Sequence, residues 1–139
     1  MPPCRTEYVV RRILVVDDEL NLALLLYEVL QYLPDCEIEI ATSGEDALRL
    51  FAQQSFDLLI TDYKMPGMDG ILLTRRVLEE YPGTAVVIIT AYADEIPDKA
   101  EVLASVEQIL DKPVRIKTIR AAACEALAGE PTADCVAPP

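Results

Sequence analysis

Histidine is absent from the 139 residues, and the four cysteines, Cys4, Cys36, Cys124 and Cys135, form no CxxC pair. A zinc site of imidazoles and thiolates is not expected, and the scattered thiols read as reduced and structurally incidental. Long apolar runs are missing as well. Ala85 to Ile89, for example, falls far short of the roughly 20 residues that span a bilayer. No transmembrane helix is expected, and no signal peptide either, because Asp17 and Asp18 interrupt the apolar stretch that follows Arg11 and Arg12. The expected location is the cytoplasm. Positive charge is also scarce, with 12 Lys+Arg against 24 Asp+Glu and a formal net charge of −12. Such an excess repels phosphate backbones and anionic headgroups, so no nucleic acid and no membrane surface is expected as a partner.

What is present is a chain that is 52% apolar and 26% charged, which reads as one globular domain. A chain of this size buries roughly 70% of its unfolded surface, enough for a core without metal or disulfide staples. Ile13 to Val16, Leu58 to Thr61 and Ala85 to Ile89 are short, continuously apolar runs, each ending at a polar residue. Runs without polar alternation suit strands buried on both faces. Cys36 to Ala41 and Val106 to Leu110 supply two more strands.

Helical patterns separate them. Leu22, Leu25, Leu26, Val29, Leu30 and Leu33 follow the spacing of one helix face, and Pro34-Asp35 stops that helix. Ser43 with Asp46 has the form of a capping box that opens a second helix carrying Ala47, Leu48 and Phe51 inward. A third helix begins near Asp69 and closes at Pro82-Gly83, a fourth covers 98–105 and a fifth 115–128. Five β-α alternations predict an α/β fold: a doubly wound, five-stranded parallel sheet of order 2-1-3-4-5. The expected domain covers 12–128, with a tail over 1–11 and a disordered tail over 129–139.

Ligand sites in such sheets lie beyond the carboxyl ends of the strands, where the strand order reverses. Asp17 and Asp18 end the first strand and Asp62 ends the third, so the topology delivers three carboxylates to one crevice. Unit charges about 4 Å apart at an effective dielectric near 20 repel by roughly 4 kcal/mol. A hard divalent cation with oxygen ligands, most naturally Mg²⁺, together with Lys112 after the fifth strand, would neutralise them.

With these residues in place, the chain resembles the receiver domains of two-component response regulators. The match runs over about residues 12 to 127. It rests on Asp17-Asp18, the run from Asp62 to Gly70 (Asp-Tyr-Lys-Met-Pro-Gly-Met-Asp-Gly), Thr90-Ala91 and Lys112-Pro113. The resemblance implies a flavodoxin-like (βα)5 fold and a phosphoryl group accepted on Asp62 from a sensor histidine kinase or a phosphotransfer protein. It also implies Mg²⁺ held by Asp17, Asp18, Asp62 and the Lys64 backbone carbonyl, catalytic roles for Thr90 and Lys112, and a cis Lys112-Pro113 peptide. Its output is contact with a downstream protein target through the face of the fourth helix, fifth strand and fifth helix, with a homodimer on phosphorylation as a further partner. The chain is then a signalling module, not an enzyme, beyond self-phosphotransfer and autodephosphorylation.

The switch residues depart from the family pattern. Ile109 stands where the family usually carries Tyr or Phe, and Val114 replaces the aromatic often found after Lys-Pro. Tyr92 is the candidate substitute reporter beside Thr90.

Taken singly, the same residues admit plainer readings. Asp17, Asp18 and Glu19 suit a helix N-terminus, Asp62 a turn, Thr90 a β-branched strand end and Lys112 a solvated surface. Three other functions compete. One is a phosphorylation-independent interaction domain of the same fold. A haloacid dehalogenase-type Mg²⁺-dependent phosphohydrolase is disfavoured because Lys64 stands where those enzymes place a second acid. A flavodoxin-like mononucleotide binder is disfavoured because Asp17-Asp18-Glu19 would repel its phosphate.

Overall fold

A computed structural model describes residues 10–128. Both tail expectations fall mainly outside these residues. Arg11, expected in the N-terminal tail, is instead the first residue of strand β1 (Arg11–Val16). It pairs with Cys36, and its amide donates to the Asp35 carbonyl at 2.9 Å, so backbone pairing extends past the apolar run. The remaining strands are β2 (Cys36–Ala41), β3 (Leu58–Thr61), β4 (Ala85–Thr90) and β5 (Gln108–Asp111). They form one parallel sheet in the order β2-β1-β3-β4-β5, the doubly wound arrangement the alternation predicts.

Five helices connect and cover the sheet: α1 (Leu20–Leu30), α2 (Gly44–Gln53), α3 (Gly70–Glu80), α4 (Lys99–Ser105) and α5 (Ile116–Ala128). Successive strand residues alternate between two buried layers. Ile13, Val15, Leu58, Ile60, Val87 and Ile89 pack with Ala23, Leu26 and Leu30 of α1 and with Ile119 and Ala123 of α5. Leu14, Val16, Leu59, Val86 and Ile88 face the opposite layer with Ala47 and Phe51 of α2 and Leu73 and Val77 of α3. Both strand faces are dry, which is why these runs show no polar alternation.

The caps behave as their residue types require. Ser43 Oγ accepts from the Asp46 amide at 3.0 Å, and Asp69 Oδ1 accepts from the Leu72 amide at 2.9 Å. At α2 the Asp46 carboxylate pairs with Arg49.

Three further expectations are corrected. Leu25 is 54% exposed, while Ala23 takes the buried position facing the sheet, because the covering face runs through residues 23, 26 and 30. Leu22 is only half-buried. β5 starts two residues later than expected because the Val106 amide closes α4 on the Val102 carbonyl at 3.1 Å. A short 3-10 turn (Ala93–Glu95) also precedes α4.

Candidate functional site

The site is assembled where β1 and β3 run side by side. Val16 is in register with Thr61, and the Asp62 amide donates to the Val16 carbonyl at 3.0 Å, so the residues beyond each strand end emerge together. Asp17, Asp18 and Asp62 each offer a carboxylate oxygen, and these oxygens lie within 4.8 Å of one another. Asp17 is 2% exposed and Asp62 9%, whereas Asp18 is open to solvent.

Lys112 enters from β5. Its amide donates to the Thr90 carbonyl at 3.0 Å, and the peptide to Pro113 is cis. Lys112 Nζ donates to Asp17 Oδ2 and to Asp62 Oδ2, each at 3.1 Å. The other oxygens are fixed by backbone amides: Asp17 Oδ1 accepts from Glu19 at 2.9 Å and Asp62 Oδ1 from Tyr63 at 2.7 Å.

Burial sets the electrostatics. Desolvation raises the Asp17 pKa above its ordinary 3.8, against the opposing pull of the Glu19 amide and the Lys112 ammonium. Burial acts to lower that of Lys112, but Asp17 and Asp62 together outweigh it and hold the ammonium above its ordinary 10.5. One ammonium bonded to the two buried carboxylates, with the exposed Asp18 beside them, leaves excess negative charge at the site. Oxygen donors of this number and spacing fit a hard divalent cation such as Mg²⁺, which keeps part of its water shell.

Thr90 is fully buried at the end of β4, and its hydroxyl accepts from the Tyr92 amide at 3.0 Å. Tyr92 itself is 47% exposed. Ile109 sits in β5 opposite Ile88 and packs, half-buried, on the layer beneath α2 and α3. Lys64, two residues past Asp62, directs its ammonium to Glu95 Oε1 at 2.7 Å and lies over the rings of Tyr63 and Tyr92. That pairing holds its pKa above the ordinary 10.5.

Two residues of this neighbourhood escape a sequence reading. Glu95 becomes the partner of Lys64 only because the unforeseen 3-10 turn brings it to the β3–α3 loop, where Tyr63 Oη also donates to its carbonyl at 3.4 Å. Gly70 opens α3 directly against the nucleophile candidate. Its amide donates to the Tyr63 carbonyl at 2.7 Å, and a Cβ there would meet the Asp62 carbonyl oxygen at 1.8 Å. The Asp-Gly pair at the helix start was the available signal.

A family model described as the response regulator receiver domain matches residues 13–124. A response regulator receiver protein of Anaeromyxobacter sp. is 37% identical over 109 residues, covering 78% of this chain and 45% of that protein. A probable chemotaxis protein CheY of Rhizobium etli is 33% identical over 80% of this chain and 88% of its own length. The chain thus spans under half of the first relative and most of the second. Among solved structures, response regulator TrrA of Thermotoga maritima, in complex with Mg²⁺-BeF, is 30% identical with a TM-score of 0.76, over 85% of this chain and all of that one. The paired acidic strand ends, the shared lysine and these similarities converge: the chain belongs to the response regulator receiver domain family of two-component systems.

Proposed function

We propose that Asp62 accepts a phosphoryl group from a phosphohistidine of a sensor histidine kinase or phosphotransfer protein, with Mg²⁺ at the acidic cluster. The observation that carries this reading is the sharing of Lys112 Nζ between Asp17 Oδ2 and Asp62 Oδ2, at 3.1 Å each, beside Asp18. An Asp62 carboxylate oxygen attacks phosphorus, a P–O bond forms, the P–N bond breaks, and the freed imidazole nitrogen takes up a proton. Bound Mg²⁺ supplies Lewis-acid neutralisation of the phosphoryl oxygens.

The chain's own residues do the rest. Asp17 and Asp18, with Asp62 and the Lys64 carbonyl, hold the cation. Lys112 stays protonated and faces the charge that grows on the transferred group. Formation of the acyl phosphate takes Asp62 from one negative charge to about two. Thr90 supplies a hydroxyl to the new anion, and because that hydroxyl holds the Tyr92 amide, its reorientation is transmitted to the exposed Tyr92. Output then runs through contacts of the α4-β5-α5 face with a downstream protein or a second phosphorylated copy.

Incubation with Mg²⁺ and acetyl phosphate followed by intact-mass measurement tests this. One phosphoryl adduct, removed by hydroxylamine and missing from Asp62→Asn, is the expected result. Ile109 in place of an aromatic favours a second reading, a phosphorylation-independent interaction domain of this fold. That reading predicts no adduct under conditions that label a control receiver.

A further inference from the structure

The outer face of α4 meets solvent with apolar side chains. Val102 is buried, and Glu101 and Ser105 line the cleft against α3. That leaves Ala100, Leu103 and Ala104, all exposed, as one stripe at i, i+3 and i+4 spacing, with Leu103 48% exposed.

The border of that stripe carries one sign of charge. Residues 92–111 hold six acids against one base, Lys99, a formal −5 within a chain of −12. Lys99 pairs with Asp94 at 3.7 Å, and Lys64 takes Glu95. Asp98, Glu101, Glu107 and Asp111 are exposed and have no ion pair among the described residues. Asp111 shares with Ile109 the face of β5 turned to the α4 layer, because side chains alternate along a strand. Beyond β5, Gln108 Nε2 donates to Glu125 Oε1 of α5 at 3.2 Å, which continues the acidic border. Arg120 is turned away, its Nε donating to the Val29 carbonyl at 3.4 Å and its guanidinium over the Tyr32 ring.

We infer that this surface receives a basic amphipathic helix of the downstream protein. Its apolar side chains lie on Ala100, Leu103 and Ala104, and its Lys or Arg side chains pair with Glu101, Glu107 and Asp111. The inference rests on the reading of the α4-β5-α5 face as the output surface and adds the chemistry of what binds there. A stripe of little more than one turn buries little area, so electrostatic attraction supplies orientation and encounter rate, and salt weakens the contact. The same uncompensated carboxylates repel an acidic helix.

The probe is a peptide that repeats Leu-Lys-Lys-Leu-Leu-Lys-Leu twice, titrated into the full chain in about 0.15 M salt and followed by amide shifts. It should bind saturably with a Kd on the order of 0.1 mM, with shifts centred on α4 and β5, while an analogue carrying Glu for Lys does not bind. Glu101→Gln with Glu107→Gln should weaken the peptide about fivefold, and Leu103→Gln about as much. Glu28→Gln with Glu79→Gln, which removes as much exposed charge elsewhere, should change it less than about twofold. Equal weakening by the two charge pairs would reduce the binding to attraction by net charge and overturn the inference. Shifts centred away from α4 and β5, or binding of the acidic analogue, would overturn it too. The chain alone should sediment as a monomer; self-association that disappears in Glu101→Gln with Glu107→Gln would assign the surface to a second copy, through Arg115 and Lys117, instead. Failure to bind the peptide while Asp62 is still labelled by acetyl phosphate overturns the partner alone, and intact peptide binding without a label overturns the phosphoacceptor alone.

Discussion

The start of α3 rests so closely on Asp62 that a Cβ at Gly70 would fall 1.8 Å from the Asp62 carbonyl oxygen. The Gly70 amide meanwhile donates to the Tyr63 carbonyl at 2.7 Å, so helix and loop are locked at van der Waals limits. Gly70→Ala must displace backbone on one side or the other. Overpacking of this kind costs roughly 1–3 kcal/mol, and here the strain falls on the peptide of Asp62, the proposed phosphoacceptor. Urea unfolding should show that loss, and phosphorylation by acetyl phosphate should slow at least tenfold, about the effect of 1.4 kcal/mol on a barrier.

Asp17 carries a pH dependence of defined sign. Its folded pKa is raised by burial above the unfolded 3.8, so the native state binds this proton more tightly than the unfolded chain does. In metal-free protein its contribution to stability is therefore largest below pH 3.8 and declines as pH rises through the folded value. Asp17→Asn removes that decline. The neutral amide escapes the desolvation of a buried carboxylate, which outweighs the lost attractions of the Glu19 amide and the Lys112 ammonium, so the metal-free variant should be the more stable at pH 7. Urea midpoints across pH, without Mg²⁺, measure it. Added Mg²⁺ should stabilise the native protein and leave Asp17→Asn nearly unchanged.

Lys112 has the opposite window. Asp17 and Asp62 hold its pKa above 10.5, so its stabilisation is complete below 10.5 and lost as pH climbs through the higher folded value. Lys112→Met should abolish that alkaline loss. At pH 7, leaving two buried carboxylates without their cation should cost about 1–3 kcal/mol in metal-free protein. Thermal unfolding with and without Mg²⁺ separates the two effects, because the metal should recover part of the stability.

The Lys64–Glu95 pair is exposed at both ends and contributes little to the fold. Glu95→Gln frees an ammonium two residues from Asp62, the proposed phosphoacceptor, where it can pair with the dianion that phosphorylation would create and screen phosphorus from water. The phosphorylated state should then decay more slowly, on the order of twofold, with the unfolding midpoint unchanged. Timed intact-mass measurements after removal of acetyl phosphate read the decay.

The three central strands of the sheet were legible because they are dry on both faces. Ile13 to Val16 and Leu58 to Thr61 carry that property as unbroken apolar runs, and the carboxylates follow them directly. Register across the β1–β3 pair turns adjacency in space into a consequence of topology, so the grouping of Asp17, Asp18 and Asp62 is legible in the sequence. Helix phase was harder. In α1 nearly every position is apolar, so the pattern alone could not tell that Leu25 points to solvent and Ala23 to the sheet. Contacts made by irregular backbone were invisible, since the 3-10 turn that delivers Glu95 has no periodic signature.

Borohydride reduction of the acetyl phosphate-treated protein, followed by peptide mapping, tests the central claim most directly. An acyl phosphate is reduced to an alcohol, which marks the residue that carried it. The account predicts conversion at position 62 alone, dependent on Mg²⁺ and lost when Asp17 and Asp18 are both replaced by Asn. Conversion at another acidic residue, or labelling that ignores Mg²⁺, would contradict it.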